Sequence, residues 1–325
     1  MLHLRLIVPA DRTGEVTALL ESTVGTAHLV VLPGAARDPV GDVVLCDVAR
    51  EAGDALIGEL RALGLARSGA ISVDNTALTL SARADRAEEE APGEGADAVL
   101  WEELTDVTHE ESTFSLTYVA FLSVATMLAA CGVMLDNAIL IVGAMAVGPE
   151  FGPLAGICTA LVQRAPRLVW RSLWALVAGF AVAMALTVGF AYLMDAFGLF
   201  NASMIEATRP NTSFIWQPDW MSFVVAFLAG VAGTLSLTST KSGALIGVAI
   251  SVTTVPAASN AAMAFSYRDY SQMTGSVQQL LANLGGIVLA GTLTLLAQKG
   301  LWVLALRHHR RHPERYAESG ARLPR

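Results

Sequence analysis

Apolar residues form long uninterrupted runs between residues 114 and 306, whereas the first quarter of the chain shows short alternating and helical groupings. The long runs reach the roughly 20 residues that an α-helix needs to cross a membrane. They predict six spans, at residues 114–135, 138–162, 168–194, 220–238, 243–264 and 276–304. The sequence therefore predicts an α-helical polytopic membrane domain over residues 114–306.

Residues 1–81 have the shorter periods of a soluble domain. Aliphatic-rich segments predict strands, and apolar residues spaced three and four apart predict helices. The glycines and prolines of residues 33–41 predict a loop between the second and third strands. The predicted order is strand 2–8, helix 13–23, strands 28–32 and 42–47, helix 50–63 and strand 69–73. This β-α-β-β-α-β order is that of an α+β ferredoxin-like fold.

A ferredoxin-like domain does not by itself define a function. Such a module pairs subunits or binds a metabolite, and both alternatives stay open. His3 and His28 are predicted to be surface histidines, and no phosphate loop, metal set or nucleophile–base set is visible in this domain. The three cysteines, Cys46, Cys131 and Cys158, lack the spacing of a metal site. We therefore expect no cofactor, no metal and no enzymatic activity.

An acidic segment, residues 82–113, joins the soluble and membrane domains. It carries eleven acidic residues and two arginines, which account for the net charge of −8 of the whole chain. Residues 82–96 predict a flexible linker, and residues 97–111 predict an amphipathic helix. The apolar face of that helix holds Leu100, Trp101, Leu104 and Val107. The acidic charge argues against nucleic acid as a partner.

Arginines follow the second and sixth predicted spans, at residues 164–171 and 307–311. Positive charge marks the cytoplasmic side of a membrane protein. We therefore expect a multi-pass protein of the bacterial inner membrane with both termini in the cytoplasm, the last of them a basic tail at residues 307–325. The first 15 residues lack the basic start and long apolar core of a cleaved signal peptide.

The second predicted span is interrupted at its middle by the motif G-P-E-F-G-P. It contains Gly148, Pro149, Glu150, Gly152 and Pro153. Proline removes a backbone donor and clashes with the preceding turn, and a carboxylate at mid-membrane costs roughly 2.5–3.5 kcal/mol on insertion scales. Two interpretations are open: a proline kink with Glu150 packed against a polar neighbour, or a helix broken for function.

The six predicted spans resemble two copies of three. Val119–Leu122 recurs as Val225–Leu228, and Gly143 aligns with Gly247, at offsets of 106 and 104 residues. In each copy the segment that holds the aligned glycine is followed by a proline, Pro149 in the first copy and Pro256 in the second. Chance matches in apolar sequence are the alternative. A real repeat of three spans would be inverted, an architecture whose binding sites lie where interrupted helices meet at mid-membrane.

The polar residues near the two breaks define a candidate site. Glu150 is the titratable or cation-binding candidate. The predicted polar ligands are Asn260, Thr253, Thr254 and Asn283. The threonine hydroxyls have a structural alternative, because hydroxyls also satisfy backbone carbonyls that proline frees within a membrane helix.

Three segments resemble a known family. GAMAVGPEFGPLAG (143–156), GVAGTLSLTSTKSGALIGVAISVTTVP (230–256) and LLANLGGIVLAG (280–291) are similar to the membrane domain of the domain-of-unknown-function 389 family. The resemblance implies a polytopic bacterial membrane protein with an N-terminal soluble domain, and it implies no substrate. The chain differs from the family pattern in having Glu150 where an apolar residue is commoner and a single Pro256 where a proline pair is usual.

Two functions from different classes follow from these features. The first is a transporter or channel-like protein that moves a small solute or ion through the bilayer, with a cytoplasmic regulatory or oligomerisation domain. The second is a membrane sensor or scaffold without flux, whose soluble domain binds a ligand or pairs subunits. Both hypotheses include a homo-oligomer.

Overall fold

The computed structural model describes residues 1–76, 78–91, 93, 95, 98–239 and 253–311. The chain divides into two compact units. The first is Met1–Glu102 with Gln298–Arg325, and the second is Glu103–Ala297.

The first unit is built on a four-stranded antiparallel sheet with the strand order β2-β3-β1-β4. The β-α-β-β-α-β order predicted from the sequence is present, with one short helix, α3, added before the last strand. The elements are β1 (Leu2–Val8), α1 (Thr13–Ser22), β2 (Thr26–Arg37), β3 (Val40–Val48), α2 (Arg50–Ala62), α3 (Leu65–Ser68), β4 (Ala70–Asn75) and α4 (Ala82–Glu90).

The core of this unit follows from alternation along the two central strands. Every second residue of β1, beginning with Leu2, is buried, and Leu4 lies opposite the buried Cys46 of β3. Leu20 of α1 and Leu60 of α2 belong to the same apolar cluster. One face of the sheet is therefore covered by helices, because alternate strand residues point to the same side.

Two predictions in the first unit are wrong. Residues 33–41, predicted as a loop, mostly continue β2 and β3. Strand β2 lies at the sheet edge, where a proline such as Pro33 is tolerated because no neighbour requires its missing N–H. Residues 82–90, predicted as flexible linker, form α4, which is capped by the Ser81 hydroxyl and buries Ala84 and Ala87. Residues 92, 94 and 96 of that prediction, and residue 97 of the helix predicted after it, lie outside the described residues.

The predicted amphipathic helix is present as α5 (Trp101–Glu111), although its buried face differs from the predicted one. Leu104 is buried as predicted, whereas Val107 is 39% exposed and Thr108 is buried. Within the first unit, the Lys299 ammonium lies 5.4 Å from the centre of the Trp101 ring. Trp101 therefore packs against protein.

The second unit is helical. It contains α6 (Leu116–Met134), α7 (Ala138–Val147), α8 (Phe151–Gln163), α9 (Pro166–Ala196), α10 (Ala202–Glu206), a 3₁₀ helix (Ser213–Ile215), α11 (Trp220–Thr238), α12 (Thr254–Ser266) and α13 (Tyr270–Arg311), the last of which extends beyond the unit. Four described helices, α6, α9, α11 and α13, are long and apolar enough to cross a membrane. Helices α7 and α8 are bent by 53° and count as a fifth span if taken together.

Six spans and the inverted repeat are not confirmed. The predicted fifth span, residues 243–264, appears as α12 from Thr254 onward, and its earlier part lies outside the described residues. The segment that would match α7 in a second copy falls in the same gap, together with Gly247. Both features therefore stay predictions.

The helices of the second unit leave apolar side chains on the outside and bury small or polar ones. Trp174 and Leu186 of α9 are exposed, which suits a lipid environment. Inside, Thr187 donates to Thr126 of α6 at 2.9 Å. Gly230 of α11 faces α13 so closely that an added Cβ would lie 2.8 Å from the Cβ of Ala290. Close contact of small residues is a usual mode of helix association in membranes.

Candidate functional site

The G-P-E motif ends one helix and begins another. Helix α7 ends at Val147, and α8 begins at Phe151, so Gly148, Pro149 and Glu150 form the break. Proline lacks the N–H that a continuous helix would need here. Pro153 and Gly152 fall in the first turn of α8, where proline is tolerated because those N–H groups have no intrahelical acceptor.

Glu150 is buried in this break, with 5% of its surface exposed. Its Oε1 accepts a hydrogen bond of 2.6 Å from the hydroxyl of Thr254, the first residue of α12. Its Oε2 is buried and has no hydrogen-bond partner among the described residues. A Cβ at Gly148 would overlap Oε2 and lie 2.8 Å from Cγ2 of Val255. Glycine at position 148 therefore makes room for the carboxylate.

A second buried polar atom lies near this carboxylate. The hydroxyl of Tyr118 in α6 is buried and has no hydrogen-bond partner in the described part of the chain, and it is close enough to Glu150 to interact with it electrostatically. Buried polar atoms in proteins nearly always have a partner, which is often an ordered water or ion. The Tyr118 hydroxyl is a donor and the Glu150 carboxylate an acceptor, so each of them can bind a further polar group such as water.

Thr253 and Asn283 form a second pair beside this centre. The side-chain amide of Asn283 in α13 donates to the Thr253 hydroxyl at 2.8 Å, and Asn283 is 1% exposed. Thr253 directly precedes Thr254, so the two pairs are adjacent in the chain. Four of the five predicted polar residues thus lie at two neighbouring contacts.

The second unit has two distinguishable ends. At the Asp136 end, the Asp136 carboxylate accepts from Asn211 at 3.0 Å and from Thr212 at 2.9 Å, which ties the 197–219 loop to the end of α6. At the opposite end, named the Arg171 end, the Arg171 guanidinium donates to Thr113 just before α6.

A pocket approaches the break from each end. One, of about 270 Å³, is lined by Asp219 and Ser222 at the start of α11 and reaches Thr253 and Asn283. The other, of about 430 Å³, is lined by Glu110 and Glu111 at the Arg171 end. It reaches Tyr118, Pro149, Phe151 and Gly152. Burial, followed by the charge of Glu110, raises the pKa of Glu111. The Glu150–Thr254 contact therefore lies between residues that line two separate pockets.

The fifth predicted ligand, Asn260, lies in a different polar cluster. Its amide oxygen accepts from Arg209 at 3.2 Å, and its amide nitrogen donates to the Ser276 hydroxyl at 2.7 Å. Arg209 also donates to Gln272 and is 5% exposed. The prediction that Asn260 joins the Glu150 site has no support in these contacts, since Asn260 is six residues after Thr254 and therefore about 9 Å further along the helix.

Arg209 is a residue that sequence reasoning missed. It is the single arginine of residues 195–219. Burial lowers its pKa, and the nearby Asp136 and Asp269 act in the opposite direction. The sequence signal that could have indicated a buried arginine was the set of polar residues at helical spacing near the start of the last helix. Polar side chains on a buried helix face need polar partners.

Pro256 lies in the first turn of α12. Pro256 therefore lies at the beginning of a helix. Residues 240–252, which precede this helix, lie outside the described residues, so the predicted break at Pro256 stays a prediction. Further along α12, the hydroxyl of Ser259 donates to the backbone carbonyl of Thr126 at 2.7 Å.

The first unit contains a hydrogen-bonded chain that the sequence did not predict. Asp47 accepts from Nδ1 of both His3 and His28 at 2.7 Å, and Nε2 of His28 lies 2.8 Å from the Ser81 hydroxyl. Burial raises the pKa of Asp47, but the hydrogen bonds from His28 and His3 outweigh it, so the pKa is lowered. Both histidines are partly exposed as predicted, yet they join three strands to the cap of α4. The described residues contain no cluster suited to a metal ion.

Comparison with known proteins finds a matching family model but no activity. Residues 145–289 match a domain of unknown function, DUF389, and this region includes Glu150, Thr254 and Asn283. An uncharacterized protein of Methanocaldococcus jannaschii is 24% identical over 169 residues, which are 52% of this chain and 50% of the relative. The chain thus matches about half the length of that relative. No solved structure matches the chain.

Proposed function

The chain carries a DUF389 domain, and from that premise we propose that it moves a small solute or ion across the membrane at the break between α7 and α8. The observation that carries the proposal is the buried carboxylate of Glu150, whose Oε2 has no protein partner among the described residues. An ionisable group inside a membrane domain is costly, and such groups commonly mark ion or proton pathways.

The chemistry of the site favours a proton or a small cation at Glu150. Among the described residues, the one side chain that donates to the carboxylate is Thr254, through its hydroxyl. One side-chain donor compensates a buried charge only in part. A proton on Oε2 would remove the charge, and a bound cation would balance it. The Tyr118 hydroxyl and the Thr253–Asn283 pair then supply polar groups on either side.

An inverted repeat, as predicted from the sequence, would give this site a structural basis. Thr254 follows Glu150 by 104 positions, the same offset that relates Gly143 to Gly247. In a six-span inverted repeat, the two residues are equivalent, so their hydrogen bond would join the two broken helices at the pseudo-two-fold axis. The two pockets that reach opposite sides of this contact suit alternating access, in which one side opens as the other closes.

The soluble part has its own proposed role. Its β-α-β-β-α-β order supports a ferredoxin-like module that pairs subunits in a homo-oligomer or senses a ligand. Three consecutive aliphatic residues of edge strand β2, Val30, Val31 and Leu32, are between 36% and 43% exposed. An exposed apolar edge strand is a natural pairing surface, and this observation also favours the second candidate function, a scaffold without flux. Both termini are proposed to be cytoplasmic, in a bacterial inner membrane.

Reconstituted vesicles test transport directly. A trapped pH-sensitive dye reports proton flux, and ion-sensitive dyes report Na⁺ and K⁺ flux. We expect flux above that of protein-free vesicles, and a loss of at least about tenfold in Glu150→Gln, which corresponds to about 1.4 kcal/mol of barrier. Glu206→Gln makes the same chemical change at the exposed last residue of α10 and is expected to keep wild-type flux. Equal flux in both variants, or none in the wild type for any probe, contradicts the proposal.

A further inference from the structure

Helix α13 carries a continuous stripe of buried polar side chains through its first half. The stripe consists of Gln272, Ser276, Gln279 and Asn283, each at most 8% exposed. Spacings of four, three and four residues place all of them on one face of a helix. Burying such groups in an apolar bundle is unfavourable unless each finds a partner.

The outer part of this stripe is held by groups from two other elements. Gln272 accepts from Arg209, and its amide nitrogen donates to the backbone carbonyl of Ile205 at 3.2 Å. Ser276 accepts from Asn260 of α12. These contacts place the stripe at the junction of α12, α13 and the 197–219 loop, at the Asp136 end.

Two atoms along this junction have no hydrogen-bond partner among the described residues. They are Nε of Arg209, which is a donor, and Oε1 of Gln279, which is an acceptor. A purely structural polar contact would be expected to satisfy both. A mixture of unpaired donors and acceptors matches water, which offers both functions at one position.

The stripe stops at the depth of the candidate site. Asn283 lies about 16 Å along α13 from Gln272, at 1.5 Å per residue, and bonds to Thr253 beside Thr254. Beyond it the same face of α13 becomes apolar, with Ile287 and Ala290 packed closely on α11. A polar face that covers only half of a membrane helix reaches the middle of the membrane domain from one side and does not continue to the other side.

We propose that this face of α13 lines a water-filled half-channel from the Asp136 end to Glu150, through which the carboxylate exchanges protons with that side of the membrane. The inference rests on the proposed role of Glu150 and adds a coupling proton to it. The ionisable group that faces Glu150 from α6 is Tyr118, and the charged groups at the mouth are Arg209, Asp136 and Asp269. A proton entering here would leave by the pocket at the Arg171 end.

Accessibility of single cysteines to Ag⁺ tests the half-channel without any transported solute. The background replaces the three native cysteines by alanine. Ag⁺ binds thiolates and, being charged, does not partition into lipid. After exposure of sealed vesicles, the protein is unfolded and the remaining thiols are counted with a fluorescent maleimide. Ser276→Cys is the primary variant, because the side chains are similar in size and no cavity is created.

We expect Ser276→Cys to react at least about tenfold faster than the controls, because the thiolate forms only in contact with water. Ala290→Cys is the buried control on the same helix, and Leu281→Cys, at an exposed position on the apolar surface, is the lipid-facing control. Ser276→Cys reacting no faster than Ala290→Cys overturns the half-channel.

A second pair of variants tests the link to the site. Glu150→Cys is expected to react with Ag⁺ that is added on the side of the Asp136 end. The further substitution Gln279→Leu removes a polar group from the path. It is expected to slow the reaction from the Asp136 end and to leave any reaction from the Arg171 end unchanged. Reaction from the Asp136 end at an unchanged rate in the double variant refutes the route. Since labelling requires no flux, an accessible path in a protein that transports no probe would refute the transport proposal while leaving the half-channel in place.

Discussion

Gly148 provides the sharpest prediction about the break. Its φ of −65° is ordinary, so alanine can adopt the backbone conformation and any effect is steric. The added Cβ would overlap Oε2 of Glu150 and lie 2.8 Å from Cγ2 of Val255, well inside normal contact. The carboxylate would have to leave its position or α12 would have to shift.

The size of the effect follows from two opposing contributions. Overpacking of this kind costs about 1–3 kcal/mol, and the lower flexibility of unfolded alanine returns about 0.4–1 kcal/mol. We expect Gly148→Ala to lower the free energy of unfolding by about 1–2 kcal/mol. Gly143→Ala in α7 is the matched control, because an added Cβ there meets no atom within 4 Å; in a helix interior it is expected to stabilise by about 0.5–1 kcal/mol.

Equilibrium unfolding in mixed micelles with increasing SDS measures this difference, and a double-mutant cycle identifies its cause. If the Cβ collides with the Glu150 carboxylate, Gly148→Ala should cost less in a Glu150→Ala background, with a coupling of about 1 kcal/mol or more. Equal stability of the two glycine variants would refute the geometry of the break. If the double-mutant cycle shows no coupling between Gly148→Ala and Glu150→Ala, the Glu150 carboxylate does not lie against Gly148.

Three further predictions concern other parts of the chain. Burial, followed by the charge of Asp47, raises the pKa of Cys46 from 9.0 to about 12. Iodoacetamide at pH 8 should therefore label Cys46 about a thousandfold more slowly than an unperturbed thiol. Rapid labelling of Cys46 in the folded protein would contradict this. The lowered pKa of Asp47 stabilises the fold above the unfolded pKa of about 3.9, and this contribution is lost as pH falls. Thermal unfolding between about pH 5 and pH 3 should therefore show a larger loss in the wild type than in Asp47→Asn, and parallel losses would exclude the effect. Gly230→Ala should destabilise by about 1–3 kcal/mol in SDS titration, because its Cβ would lie 2.8 Å from the backbone oxygen of Ile287, whereas Gly285→Ala, with open space around it, should not.

Much of the secondary structure follows from local patterns. The predicted spans at 114–135 and 220–238 correspond to Leu116–Met134 and Trp220–Thr238, because apolar length is a property of the segment itself. The loop at 33–41 was predicted wrongly, since glycine and proline disfavour strands in isolation but are tolerated at a sheet edge. The linker at 82–90 was predicted wrongly for a related reason: its alanines pack and its first turn is capped, although its composition is acidic.

The sequence by itself determined that the chain contains apolar helices of membrane length, an N-terminal sheet, and a break at Pro149 with a carboxylate in it. These follow from chain length, alternation and the missing N–H of proline, which are local properties. Only the tertiary structure decided which polar groups meet. Thr254, 104 positions away, bonds Glu150, whereas Asn260 joins the buried Arg209. Six residues along one helix change both depth and facing direction, and no sequence pattern specifies which helix lies opposite.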